Sequence, residues 1–149
     1  QFLAENYLRW DSLGEYFALV PSFEQVASQT GNKKAKVLAD TLDEANGKIL
    51  EFNRTPARKI GELDNRGSHF YLAMYWARAL ANQKDDAELA QKFAPVADAL
   101  EARESEIVSA FATAQGQPVD IGGYYLPKAE LLKKWLRPVA VFNEVIDAV

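Results

Sequence analysis

From Val37 to Phe52, apolar residues recur at steps of three and four: Val37, Leu38, Leu42, Ala45, Ile49 and Phe52. That spacing lays them along one stripe of an α-helix from about Lys33 to Phe52, and leaves Asp40, Asp43, Glu44 and Lys48 for the solvated side. No stretch alternates at a period of two in the manner of a strand. Helical periodicity without strands confines the chain to an all-α fold, read as an orthogonal bundle of about seven or eight helices.

The other elements follow from the same signals. Residues 2–10 read as a short apolar helix. Asp11 or Ser12 is expected to cap the next one, Ser12 and Glu15 having capping-box spacing, and Pro21 to end or kink it. Ser22 would then cap a short helix that stops near Gly31. Residues 53–67 break the pattern: Thr55-Pro56 and Gly61 are poor helix material, and Asn65-Arg66-Gly67 reads as a turn. Helix resumes with Ser68 as the expected N-cap. It carries Phe70, Tyr71, Leu72, Met74, Tyr75, Trp76 and Leu80, apolar on nearly every side, and so predicts a buried central helix. Asp85-Asp86 starts another, with Leu89, Phe93, Val96 and Leu100 inward and Pro95 a site for a kink. Periodicity continues through Ile107, Val108 and Phe111 to Gly116. A polar loop, "QPVDIGGYYL", precedes Leu131, Leu132, Trp135 and Leu136. Pro138 separates these from a last helix through Val141, Phe142, Val145 and Ile146.

At 149 residues the chain fits one helical segment, 1–149, with enough length for a core. Its formal charge of −4 argues against a general nucleic-acid binder. No apolar run approaches the roughly 20 residues that span a bilayer. With no cysteine, disulfides and thiolate metal sites are excluded, which is compatible with a reducing compartment. The chain opens on Gln1 rather than methionine, with Phe2, Leu3, Tyr7 and Leu8 already at helical spacing. A piece of a longer, processed or truncated product is expected to begin so.

Four places invite a chemical reading. His69 is the one histidine; it has no nucleophile elbow or oxyanion hole around it, and is read as packing or hydrogen-bonding locally. Asp40, Asp43 and Glu44 lack metal-ligand spacing and read as a solvated helix face, so no metal site is expected. "DIGGYY" is read as a tight turn in which glycine permits positive φ, with its tyrosines packing. Arg54, Arg58, Lys59 and Arg66, opposed within the segment by Glu62 and Asp64, form a local cation cluster in an acidic chain. Guanidinium forks match phosphate or carboxylate oxygens, and the N-terminus of the helix that follows adds a partial positive field. The alternative is that these arginines are spent on Glu62, Asp64 and helix carboxylates. In "LRWDSLGE", Arg9, Trp10 and Asp11 allow a ribose-and-phosphate contact or, equally, a helix cap and a packed indole. On the residues alone both pairs of readings stay open.

A resemblance bears on them. "NYLRWDSLGEYFAL", "ADTLDEANGKIL", "NRTPARKIGELDNRGSHFYLAMYWA", "KFAPVADAL" and "PVDIGGYY" resemble, in order and across essentially the whole chain, the C-terminal part of the monomeric NADP-dependent isocitrate dehydrogenases. The resemblance implies an oxidoreductase, monomeric and cytoplasmic, that converts isocitrate to 2-oxoglutarate and carbon dioxide with NADP and Mg²⁺ or Mn²⁺. It implies that the chain is the C-terminal contribution to the smaller of two domains. By the matched motifs, Arg9, Asp11 and Arg58 are implied cofactor contacts, Arg9 and Arg58 toward the 2′-phosphate or adenosine end. Thr55 and Ala57 stand where serines are expected, which weakens any hydroxyl contact there. The isocitrate, metal and acid–base residues, and a cofactor-binding histidine, are implied to lie upstream, so no catalytic or metal residue falls within these residues. The partners implied are NADP, isocitrate and the remainder of the same polypeptide. The reading set against the resemblance is a stand-alone helical module that binds an anion or an acidic protein.

Overall fold

The computed structural model describes residues 2–6, 13–123 and 125–149. Arg9, Trp10, Asp11 and Ser12 lie outside them, and so do the cap and contact readings placed there. Among the described residues there are eight helices and no strand: α1 (Phe2–Glu5), α2 (Gly14–Thr30), α3 (Lys33–Glu51), α4 (Asn65–Asn82), α5 (Ala87–Ala102), α6 (Glu104–Thr113), α7 (Ala129–Leu136) and α8 (Ala140–Asp147). None of these helices is long and apolar enough to cross a membrane.

Helix α4 is the centre. It packs between α3 and α5, α2 covers α3, α6 touches α4 and α8 lies on α5. This is why α4 is apolar almost all round: Phe70, Tyr71, Leu72, Met74, Ala77, Ala79 and Leu80 are all buried. Phe70, Tyr71, Leu72 and Met74 meet Leu42, Ala45 and Ile49 of α3, Leu100 of α5, and Ile107 and Phe111 of α6 in one core. Burying each large side chain contributes about 1.5–3 kcal/mol. A polar relay stitches α4 to α3, the Trp76 indole donating to Thr41 Oγ1 at 3.0 Å while that hydroxyl donates to the Val37 carbonyl at 2.7 Å.

Several boundaries differ from the sequence reading. The first helix stops at Glu5 because Asn6 turns left-handed, with φ 52°. The next begins at Gly14, with Leu13 at the N-cap and no side-chain cap. Pro21 does not end it: α2 runs unbroken to Thr30. Proline leaves the Phe17 carbonyl without its amide partner. No residue of α2 is buried, so water can take that carbonyl. Ser22 is therefore mid-helix, not a cap, and its hydroxyl donates back to the Ala18 carbonyl at 2.9 Å. Gly31 closes α2 in the left-handed conformation, as expected, with φ 69°. Phe52 is not on the buried stripe but past the helix end and 52% exposed. Helix α4 begins four residues early: Asp64 rather than Ser68 is the N-cap, and Asn65-Arg66-Gly67 is the first helical turn rather than a loop turn. The apolar stripe read from 85 to 116 is two helices, α5 and α6, parted at Arg103. Asp86 caps α5, accepting from Leu89 N–H at 2.9 Å.

Candidate functional site

The cation cluster sits on the loop between α3 and α4, and its geometry begins at the end of α3. Asn53 takes a left-handed conformation, φ 50°. The Asn53 amide returns to the Leu50 carbonyl at 3.2 Å, and the Arg54 amide to the Ile49 carbonyl at 2.8 Å. This is the double bond of a Schellman stop, and asparagine is among the few side chains that tolerate its left-handed residue. It fixes the direction in which the chain leaves. Ser68, in the first turn of α4, then donates to the Arg54 carbonyl at 2.7 Å.

Beyond Arg54 the loop closes on itself. The Ala57 amide donates to the Leu63 carbonyl at 2.7 Å, and the Glu62 amide to the Lys59 carbonyl at 3.2 Å. Gly61 supplies the φ of 90° that the turn requires. Gln115, just past α6, grips the returning limb: its Oε1 accepts from Gly61 N–H at 2.8 Å and its Nε2 donates to the Glu62 carbonyl at 2.9 Å. Ile60 rests on Gly116, where an added Cβ would come within 3.1 Å of its Cγ2.

The four cations read together in sequence part company here. Arg58 and Lys59 are exposed at the tip. Lys59 stands 3.9 Å from Glu62 with its side chain 83% exposed, a screened pair of little energy. Arg54 lies at the base, its guanidinium 4.2 Å over the Tyr71 ring and 3.9 Å from Glu104. Tyr71 in turn donates to Glu104 at 2.8 Å. Burial and that carboxylate push the Tyr71 phenol up to about 12.

Arg66 is no part of an anion clamp. It is 6% exposed and forks onto Asp64 Oδ2 at 2.8 and 2.6 Å, while Nη1 donates to the Trp135 carbonyl at 2.9 Å. Asp64 meanwhile accepts from Gly67 N–H at 2.9 Å. The N-terminus of α4 is thus taken by the protein's own carboxylate, and the partial positive field expected there is not offered to a ligand. A Cβ at Gly67 would come within 2.5 Å of Leu63 Cδ1, so that side chain would have to move to admit one.

The remaining candidates are local structure. His69 Nδ1 meets the Asn65 carbonyl one turn back and the ring stands edge-on to Tyr16 at 4.9 Å, which is the packing role expected of it. Asp40 pairs with Lys36, and Glu44 with Lys48 at 2.8 Å. In "DIGGYY", Gly122 and Gly123 take φ of 80° and 138°, and Gly122 N–H donates to Asp120 at 2.8 Å, the tight turn expected. Tyr125 does not pack inward: it is 95% exposed. Gln115 and Glu104, which hold the loop, carry no periodic or motif signal; their partners on the loop are 50 or more positions away along the chain.

The arrangement can present two cations to an anion at the surface. The hollow beneath the loop, between Arg54, Tyr71 and Gln115, is about 170 Å³. That is below the roughly 300–1,000 Å³ of a ligand pocket. Among the described residues no group of three His, Asp or Glu side chains comes together to hold a metal ion.

Fold and loop together define a helical scaffold with Arg58 and Lys59 exposed at the tip of one loop. Comparison with known proteins makes this specific. The family model described as monomeric isocitrate dehydrogenase matches residues 1–147. The chain is 58% identical over 146 residues to isocitrate dehydrogenase [NADP] of Azotobacter vinelandii, covering 98% of this chain and 20% of that protein. It is 55% identical over 148 residues to isocitrate dehydrogenase [NADP] 2 of Colwellia maris, covering 99% and 20%. It is 53% identical over 149 residues to isocitrate dehydrogenase [NADP] 2 of Mycobacterium tuberculosis, covering 100% and 20%. The chain belongs to the monomeric isocitrate dehydrogenase family and spans about a fifth of the length of these relatives.

Proposed function

We propose that this chain is the C-terminal, cofactor-contacting portion of a cytoplasmic, monomeric NADP-dependent oxidoreductase that decarboxylates isocitrate to 2-oxoglutarate. On this reading residues 1–149 form a single helical segment that supplies scaffold and phosphate contacts. The residues that hold isocitrate and Mg²⁺ or Mn²⁺, and the acid–base pair, belong to the rest of the polypeptide. Arg58 reads the 2′-phosphate that separates NADP from NAD. Arg9 is assigned to the same end of the cofactor, and Asp11 to a hydroxyl or to orienting an arginine; both rest on the sequence resemblance.

The observation that carries the reading is the closed loop, which places Arg58 and Lys59 exposed at its tip. A phosphate is a good ligand for such a tip. A hydrogen bond to a charged partner contributes about 1.5–3 kcal/mol, and a prepaid loop conformation adds little entropy cost on binding. Arg58→Ala in the full-length enzyme is expected to raise the KM for NADP by about ten- to a hundredfold and leave that for NAD nearly unchanged. Equal losses for both cofactors would sink the phosphate role.

A further inference from the structure

Gln115 is only 8% exposed, and both ends of its carboxamide are spent on the backbone of one loop. It lies 54 positions from Gly61, on the segment that leaves α6, and holds the limb that returns from the Arg58-Lys59 tip. The outgoing limb is held by Ser68 on the Arg54 carbonyl, and the Ala57–Leu63 bond joins the two limbs. Gly61 at φ 90° is the hinge between tip and limb, and its amide has Gln115 as its acceptor. We infer that Gln115 is a positioning residue for cofactor selection: it fixes the loop in the one conformation in which Arg58 meets the cofactor's extra phosphate.

This rests on the assignment of Arg58 to that phosphate. The Gln115 carboxamide is engaged at both ends by the loop backbone, so it acts by raising the fraction of molecules whose loop is ready to bind. Affinity falls in proportion when that fraction falls. Two part-buried amide hydrogen bonds are enough to shift the fraction by about tenfold. The loss is confined to the phosphate contact, so it separates NADP from NAD, as general destabilisation of the bundle does not.

The test uses the full-length enzyme and the ratio of kcat/KM for NADP to that for NAD. Gln115→Met keeps length and volume and removes both hydrogen bonds. It is expected to lower the ratio about tenfold through KM, with kcat at saturating NADP within about twofold of the parent. Combined with Arg58→Ala it is expected to add nothing to the loss in that ratio, because both act on one contact. A Gln115→Met ratio within twofold of the parent overturns the inference while the Arg58 reading stands, and so does a double variant whose losses multiply. If Arg58→Ala alone leaves the ratio unchanged, the phosphate reading fails and the inference falls with it. Should Gln115→Met not fold, Gln115→Glu keeps the acceptor for Gly61 N–H and loses the donor to Glu62; a ratio unchanged in that variant overturns the inference equally.

Discussion

At the scale of single residues, the cluster that looked uniform in sequence divides by burial. Arg66 and Asp64 are 6% and 1% exposed, and each satisfies the other. A buried pair is poor evidence of net stabilisation, since desolvation offsets much of the attraction. Removing one partner is a different matter, because a buried carboxylate is left without its counter-charge. Arg66→Ala is therefore expected to cost about 3–5 kcal/mol of unfolding free energy, read from a shift in denaturant midpoint at unchanged slope. A loss under about 1 kcal/mol would mean that water reaches Asp64 and that the pair is not closed off. Sequence shows that Arg66 and Asp64 lie two apart. It does not show that a tryptophan carbonyl from α7 completes the set.

At the scale of elements, the contact of Tyr71 with Glu104 joins α4 to α6, and the Arg54 guanidinium stacked on that ring ties the loop to both. The Tyr71 phenol has its folded pKa raised from 10.0 to about 12, by burial first and by the Glu104 carboxylate next. A folded pKa above the unfolded one contributes stability that is fully present below pH 10 and is lost as pH rises through about 12. The wild-type chain is expected to lose thermal stability across that window, and Tyr71→Phe to lose less over the same range. Ultraviolet difference titration of the two proteins should show the missing tyrosinate step near 12; a step near 10 would contradict it. Helix α2 teaches a related lesson. Pro21 reads as a stop when only neighbours in sequence are considered, yet a surface helix with an open face carries it.

At the scale of the whole molecule, the loop stands on a core that the helices bury together, but the hollow beneath it is too small for a dinucleotide. The 149-residue chain alone is expected to bind NADP weakly and in preference to NAD in a calorimetric titration at low salt, and to lose the signal as salt screens the exposed tip. Equal heats for the two cofactors would contradict the phosphate reading. Binding of neither would mean that the tip reads phosphate only once the rest of the polypeptide completes the site. How much of this was legible beforehand follows from the range of the forces. The course of α3, the burial of α4, the start of α5 at Asp85-Asp86, the stop at Gly31 and the glycine turn at Gly122 are written in steps of one to four residues, and sequence alone determined them. So were the family and the cation-rich loop, since both are carried by contiguous residues. Which cations stay exposed, where α4 begins and what Gln115 holds were decided only by the tertiary structure. Those outcomes depend on carbonyls and carboxylates brought near from distant parts of the chain, and on the loss of water around them, neither of which has a local signature.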